Sequence, residues 1–343
     1  FHTKRNMRKS LSFARILTAT ALILQGSLAM STAVKKVAVI GTTGRLGRQA
    51  VLQLNENNVP ARCLLRHEVD KSVKPSIDKD ASSAEVAAYL ASLPNVEMIK
   101  GDVTDEASVM ELVDGCDAVL ALHGAPRPSS FWKPLFPFLN DDSDTSHPRM
   151  VNYEGVKNII NAVRSSKNCK RIVRVTGKGE EPWSIFSILI NMLGNMAKAW
   201  NYEGEELLRQ CTDLDYTIVR PGVMGTPNVA EGAVLALKDN GGDLKVSPVK
   251  HETIASLCIE CLYYPNAARS TLIAMNVPDG EGEKTYAPLL AKVSPDSREF
   301  PASMLEGHRT AARTGAAVLF AFFAVGASVF VSIVQSVLAL FSK

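Results

Sequence analysis

No acidic residue precedes Glu56, no charged residue lies between Thr314 and Phe341, and no second close cysteine pair accompanies Cys258 and Cys261. Each gap excludes something. A structural zinc site needs four ligands, so one C-x-x-C pair without a second gives no metal site. The run around that pair, Ile254 to Leu262, is apolar and reads as a helix carrying two buried core thiols. The other cysteines, Cys63, Cys116, Cys169 and Cys211, are scattered. Free strand-borne thiols fit a reducing compartment better than a secreted one. The chain has 38 basic and 35 acidic residues, and five of the basic ones (Lys4, Arg5, Arg8, Lys9, Arg15) fall in residues 1–34. The rest is near neutral and carries no electrostatic footprint for nucleic acid. With 46% hydrophobic and 21% charged residues, a disordered chain is excluded. One large α/β domain or two small ones remain.

The two ends differ from the middle. Residues 1–34 are basic, acid-free and Ser/Thr-bearing, with an uncharged stretch from Ile16 to Val34 and a small-residue site at Ser27-Leu28-Ala29. They read as a targeting presequence or a signal anchor. The start at Phe1 resembles plastid transit peptides exposed by removal of a signal peptide. At the other end, the charge-free stretch 314–341 reads as a transmembrane tail anchor. Gly315 to Phe341 is roughly 40 Å long as a helix, at about 1.5 Å per residue, against a hydrocarbon core of about 30 Å. Arg309 and Arg313 flank it and place the globular body on the cytosol-like face. The N-terminal basic flank favours the opposite face, and removal of residues 1–34 resolves the conflict. Gly315, Ala317, Ala321, Ala324, Gly326 and Ser328 give the span small residues for close helix packing.

Between the ends, residues 35–307, short β-branched runs alternate with helical stretches. Strands are predicted at 36–40, 61–66, 96–99, 118–122, 171–175, 216–220 and 271–275. Their spacing fits βαβ crossovers and a doubly wound, Rossmann-like parallel sheet in a single domain, with a small C-terminal substrate or partner region. Ser82-x-x-Glu85 is a capping box that opens a helix to Leu93. That helix closes a polar insertion running from about His67 to Pro94. Directly after the first strand comes Gly41-Thr42-Thr43-Gly44-Arg45-Leu46-Gly47-Arg48. Glycines between an apolar strand and a helix let the backbone approach a pyrophosphate, and the helix N-terminus supplies N–H groups and a positive dipole end.

Here the chain, over Val34 to Asn276, resembles the extended and atypical short-chain dehydrogenase/reductase superfamily, above all its NmrA-like NAD(P)-binding branch. The resemblance rests on the G-x-x-G-x-x-G loop and on pieces that follow in order. These are Gly101-Asp102-Val103-Thr104-Asp105, Leu122-His123-Gly124-Ala125, Asn152-x-x-Gly155-x-x-Asn158, Asp215 to Gly222, and His251-Glu252-Thr253-Ile254-Ala255. It implies that Gly41, Thr43, Gly44, Arg45, Leu46 and Gly47 hold the phosphates. It places Asp102 and Val103 beside the adenine, and Leu122, His123 and Gly124 along the cofactor. At the end of strand two, an acid would favour NAD. Arg66-His67 stands there instead, and a guanidinium suits a 2′-phosphate, with Arg45 able to add to it. NADP(H) is therefore preferred over NAD(H).

Active members of the superfamily use a Tyr-x-x-x-Lys helix after strand five and a Ser or Thr at that strand's end. Anchored on Glu205, the tyrosine position falls near Ala197, the lysine position near Asn201 and the serine position near Gly177. Tyr153-x-x-x-Lys157 matches the motif but precedes strand five. Thr176 and Lys178 are the weak catalytic candidates left. Two segments look built for contact. Pro126 to His147 is rich in proline and aromatic residues and could be a substrate lid or a docking surface. Trp183 to Met196 is apolar nearly all round, which means burial in the core, in a partner or at a membrane surface.

Two functions follow. One is a membrane-tethered NAD(P)H-binding protein without the usual turnover, an assembly factor or accessory subunit of an organellar membrane complex. The other is an NADPH-dependent oxidoreductase acting on a lipophilic carbonyl or quinone-like substrate. Plastid members similar to this family assist photosystem assembly, so a plastid membrane is expected, with a mitochondrial or ER membrane as the alternative.

Overall fold

The computed structural model describes residues 34–126, 144–225 and 229–341. Residues 1–33 and most of the Pro126–His147 segment lie outside the described residues, and with them most of the presequence and the lid readings.

The first six strands follow the predicted order: β1 (Val37–Ile40), β2 (Ala61–Leu65), β3 (Val96–Lys100), β4 (Ala118–Ala121), β5 (Arg171–Val175) and β6 (Asp215–Pro221). They pair in parallel with β10 (Ser270–Val277) in the order β3-β2-β1-β4-β5-β6-β10. Three short strands escape the sequence pattern. β7 (Val223–Met224) and β9 (Pro248–Val249) pair only with each other, while β8 (Val234–Lys238) adds to the edge of the large sheet, antiparallel to β10. The parallel sheet is thus closed by one antiparallel strand.

Both faces of the sheet are covered, which is why the strands are apolar runs rather than alternations. Val37 and Val39 face one core, shared with α1 (Arg45–Glu56) and α7 (His251–Tyr263). Ala38 and Ile40 face the other, shared with α3 (Glu106–Val113) and α4 (Gly155–Ser165). Strand order reverses between β1 and β4. In such sheets ligands bind in the crevice beyond the carboxyl ends of the strands at that reversal.

The insertion before β3 is tied down. Its helix α2 (Ser83–Ala91) has the predicted capping box, with Ser82 Oγ accepting from Glu85 N at 3.3 Å and Ser82 N donating to Glu85 Oε2 at 2.8 Å. The buried Arg48 reaches across from α1 and donates to the carbonyls of Asp78 and Lys79. Cys258 and Cys261 are fully buried free thiols on α7. Burial pushes the Cys261 thiol up to about 12, which makes it a core residue rather than a reactive one.

After β5, α5 (Ile185–Leu193) and α6 (Ala197–Arg209) lead into β6. The chain ends its described course in α9 (Leu305–Phe341), which follows the short α8 (Tyr286–Leu290). The start of α9 packs on the body, with His308, Ala311 and Ala312 buried. From Val318 to Gln335 its side chains are exposed, and the stretch Leu305–Gln335 is long and apolar enough to cross a membrane.

Candidate dinucleotide site

The glycine loop is built by contacts that admit no side chain. Gly41 ends β1 with φ +89°, and a Cβ there would stand 2.7 Å from the backbone nitrogen of His123, beyond the end of β4. Gly44 N donates to Gly41 O at 3.0 Å. A Cβ on Gly47 would stand 2.1 Å from that same carbonyl oxygen. Gly47 therefore lets α1 pack against the turn, and Gly41 lets the turn pack against β4. Gly44 is the N-cap of α1, exposed and without a side-chain cap. The first N–H groups of α1 thus have no intrahelical partner. Thr42 is buried and its hydroxyl donates to Val39 O at 3.2 Å, while Thr43 is half-buried. The Leu46 side chain lies in the core, so only its backbone can meet a phosphate.

The adjoining strand ends complete the crevice. Arg66, beyond β2, is exposed and makes no hydrogen bond or ion pair among the described residues. Arg45 turns the other way, with its guanidinium against Gly225 and near His251. Beyond β3, the Asp102 carboxylate accepts from Thr104 N and Thr104 Oγ1, both at 2.9 Å, and shapes the turn. Val103 packs on Gly155. Its carbonyl accepts from Asn158 Nδ2 at 2.9 Å. Asn152 Oδ1 accepts from Ala125 N at 3.1 Å. The three motif residues Asn152, Gly155 and Asn158 therefore pin two crevice loops to one helix. Leu122 is half-buried and Gly124 is exposed, open on its Cβ side.

Under the end of β4 lies a polar cluster. Arg174, fully buried on β5, approaches His123 Nε2 at 3.1 Å, donates to Asn201 Oδ1 at 2.9 Å and reaches the Asn152 carbonyl at 3.5 Å. Burial and the neighbouring guanidinium hold the His123 imidazole well below its ordinary range, so it is neutral at physiological pH. Burial lowers Arg174 to about 10, which leaves it cationic. His123 Nδ1 and Arg174 Nε have no hydrogen-bond partner among the described residues. Sequence reasoning passed over Arg174. The available signal was a charge inside the apolar run of β5.

The superfamily's catalytic positions hold other chemistry. Asn201, at the lysine position, is engaged by Arg174. Ala197, at the tyrosine position, contributes only its carbonyl, which accepts from Asn152 Nδ2 at 3.4 Å. Tyr202 is buried and donates to Pro301 O at 2.7 Å. Tyr153 packs on Trp200, and Lys157 is exposed on α4. Of the weak candidates, Thr176 donates its hydroxyl to the buried Glu205. Lys178 pairs with Glu181 at 2.6 Å and with Asp243. Glu205 also pairs with Arg220 and Arg209, and Arg220 extends the network to Glu180 at 3.0 Å. Burial raises the Glu205 carboxyl, but the two guanidiniums outweigh it and hold it at about 2. A separate cleft of about 390 Å³ opens between β8, Lys250, Thr253 and the 283–289 segment, and no glycine-loop residue lines it.

Residues 41–265 match a protein family described as NAD(P)H-binding. The chain belongs to that NAD(P)H-binding family. That description agrees with the strand order and with the glycine turn after β1. An uncharacterised chloroplastic protein of Arabidopsis thaliana is 27% identical over 270 residues, covering 76% of this chain and 75% of the relative. Among solved structures, a wide-type short-chain dehydrogenase/reductase from Veillonella parvula in complex with NADP matches with a TM-score of 0.50 at 14% identity, covering 78% of this chain and all (100%) of that one. An oxidoreductase from Lactococcus lactis matches with a TM-score of 0.50 at 16% identity, covering 77% of this chain and 100% of its own. At such identities the two structures speak for the fold. The crevice itself fits a dinucleotide: two glycines where a Cβ would collide, a helix end without a side-chain cap, and at the end of β2 an exposed arginine with no partner among the described residues.

Proposed function

We propose that this protein is a membrane-tethered NADP(H)-binding protein of a plastid membrane, with its domain on the stromal side. In this reading it serves as an assembly factor or accessory subunit of a membrane complex rather than as an ordinary dehydrogenase. The observation that carries the reading is a complete glycine cradle next to a catalytic helix that offers Ala197 and Asn201 instead of tyrosine and lysine. Gly41, Thr43, Gly44 and Gly47 would admit the pyrophosphate, with the backbone of Arg45 and Leu46 donating to it. Arg66 would receive the 2′-phosphate. Asp102 and Val103 would border the adenine, and Leu122, His123 and Gly124 would run along the nicotinamide half. The bound nucleotide supplies a hydride donor or acceptor. Neutral His123, backed by Arg174, holds the turn beside it, while Thr176 and Lys178 are held by carboxylates. The plastid assignment is supported by the chloroplastic relative, and the tether by the free length of α9.

The test is purification from detergent-solubilised membranes. Recovery in a high-mass complex with bound NADP(H) is expected. A solitary monomer with robust carbonyl-reductase turnover would overturn the accessory role. A second reading, an NADPH-dependent reductase of a lipophilic carbonyl or quinone, is favoured by one observation: the chain leaving β5 runs through Trp183 straight into the exposed apolar face of α5. NADPH oxidation against a panel of quinones tests it. Absence of oxidation with every acceptor would remove it.

A further inference from the structure

α5 is built inside out. Trp183, Ile185, Phe186, Leu189 and Leu193 are exposed, while Ser187 and Asn191 on the opposite face are buried. A soluble helix puts its apolar stripe inward, so the inversion calls for a cause. It is not a loose packing. Asn191 Oδ1 accepts from the backbone nitrogens of Lys198 and Ala199, both at 3.1 Å, and its Nδ2 lies 2.9 Å from His308 Nδ1 on α9. Ser187 Oγ accepts from Lys198 Nζ at 2.6 Å. His308 Nε2 in turn meets the Gly179 carbonyl at 2.7 Å. A polar stripe thus locks α5 to α6 and α9 and fixes the apolar face outward, with Ile185 at 78% exposed and Phe186 at 60%.

The level of this face along α9 says what covers it. Ile188 and Met192 touch α9 at Gly315, where a Cβ would stand 2.4 Å from Ile188 Cγ2. Gly315 is the second residue of the uncharged stretch, and the exposed Arg313 stands just before that stretch. From Val318 onward α9 exposes only apolar and small residues with occasional hydroxyls, up to Gln335. α5 therefore lies beside the point at which α9 leaves the protein. Aromatic residues and flanking cations at such a level are the composition of the headgroup boundary. Lys198 stands 5.4 Å over the Phe186 ring, at the polar rim of the patch.

From this geometry we infer that α5 is an interfacial membrane helix, which dips Trp183, Ile185, Phe186, Leu189 and Leu193 into the headgroup–acyl boundary of the bilayer that α9 crosses. The inference rests on the reading of α9 as a span. Two attachments instead of one would fix the domain's tilt and hold the carboxyl end of β5 toward the lipid.

The experiment uses the full chain, reconstituted into phosphatidylcholine vesicles as a single-tryptophan form (W132F and W200F together) that keeps Trp183. Lipids brominated near the headgroup are compared with lipids brominated near the chain ends. Trp183 is expected to lose most of its emission to the shallow bromines and much less to the deep ones. The converse form, W132F with W183F, keeps Trp200, which packs on Tyr153, and is expected to be quenched by neither. Alkaline-carbonate extraction of the same vesicles separates the two layers of the argument. Carbonate-resistant protein with unquenched Trp183 overturns the interfacial helix alone, and leaves the face to a protein partner. Carbonate-extractable protein overturns the span as well.

Discussion

In the proposed site, Gly47 and Arg66 would bear on nucleotide binding in two ways, one steric and one electrostatic. A methyl group at Gly47 would have to share space with the Gly41 carbonyl, 2.1 Å away, and neither backbone can yield. Gly47→Ala is therefore expected to displace the start of α1 and to abolish binding of both nucleotides, measured by calorimetric titration. Arg66→Ala should act selectively. Losing one charge-assisted pair costs about 1.5–3 kcal/mol, roughly 10- to 150-fold in affinity at about 1.4 kcal/mol per decade. NADPH should lose that factor while NADH, which lacks the 2′-phosphate, changes little. Equal losses would show that Arg66 does not read the phosphate. These residues were legible because their signal is local: an apolar strand, glycines at fixed spacing, and one side chain after the next strand. Arg45 was not, because its guanidinium turns to Gly225 and His251, which the chain brings near only after β6.

At the scale of elements, α5 meets α9 where the apolar part of α9 begins. Gly315 permits that contact, since its Cβ would stand 2.4 Å from Ile188 Cγ2 and 3.1 Å from Met192 Sδ. Gly315→Leu is expected to force the helices apart at a cost of about 1–3 kcal/mol, the range for overpacking a fitted contact. The expected result is a lower thermal midpoint for the domain with α9 still resistant to carbonate extraction. An unchanged midpoint would mean that the two helices are not packed there in the membrane. The elements that escaped the sequence did so for two reasons. β7 and β9 are two residues long and carry no periodicity of their own. β8 is as long as β2, but it is fixed by pairing with β10, more than thirty positions away, a partner chosen only when the sheet closes.

On the scale of the whole molecule, the ion network joining Glu205, Arg220, Arg209 and Glu180 ties β6 and α6 to the segment before α5. The Glu205 carboxyl titrates at about 2 in the folded chain, against 4.5 when free of its partners. Its folded pKa is depressed, so its contribution is complete above pH 4.5 and is lost as pH falls from there toward 2. Urea midpoints measured down that range should fall more steeply for the wild type than for Glu205→Gln. The variant should start from a lower midpoint at neutral pH, because Arg220 and Arg209 then lose the buried carboxylate they share and keep only Glu180 and Glu206. Parallel curves would show that the network does not set acid stability. Removal of residues 314–343 should release the domain from carbonate-resistant attachment while any binding through α5 stays reversible, as measured by flotation with vesicles.

By itself the sequence determined the strand order, the glycine cradle and the apolar span, because each is written in consecutive residues whose backbone preferences and hydropathy act locally. It also showed that the Tyr-x-x-x-Lys spacing is missing from the stretch between β5 and β6, where Ala197 and Asn201 stand at the two positions. Tertiary structure decided what replaced them. Arg174 became the centre of a buried cluster only once the helical turn Arg149–Glu154, just before α4, and α6 set Asn152 and Asn201 against it, a convergence of residues far apart in the chain. The direction of α5 was decided in the same way. Ser187 and Asn191, one helical turn apart, mark a polar stripe that any reader of the sequence can find. Whether that stripe faces water or protein depends on the partners it meets. Lys198 and His308 draw it inward, and the apolar side is left facing out beside α9.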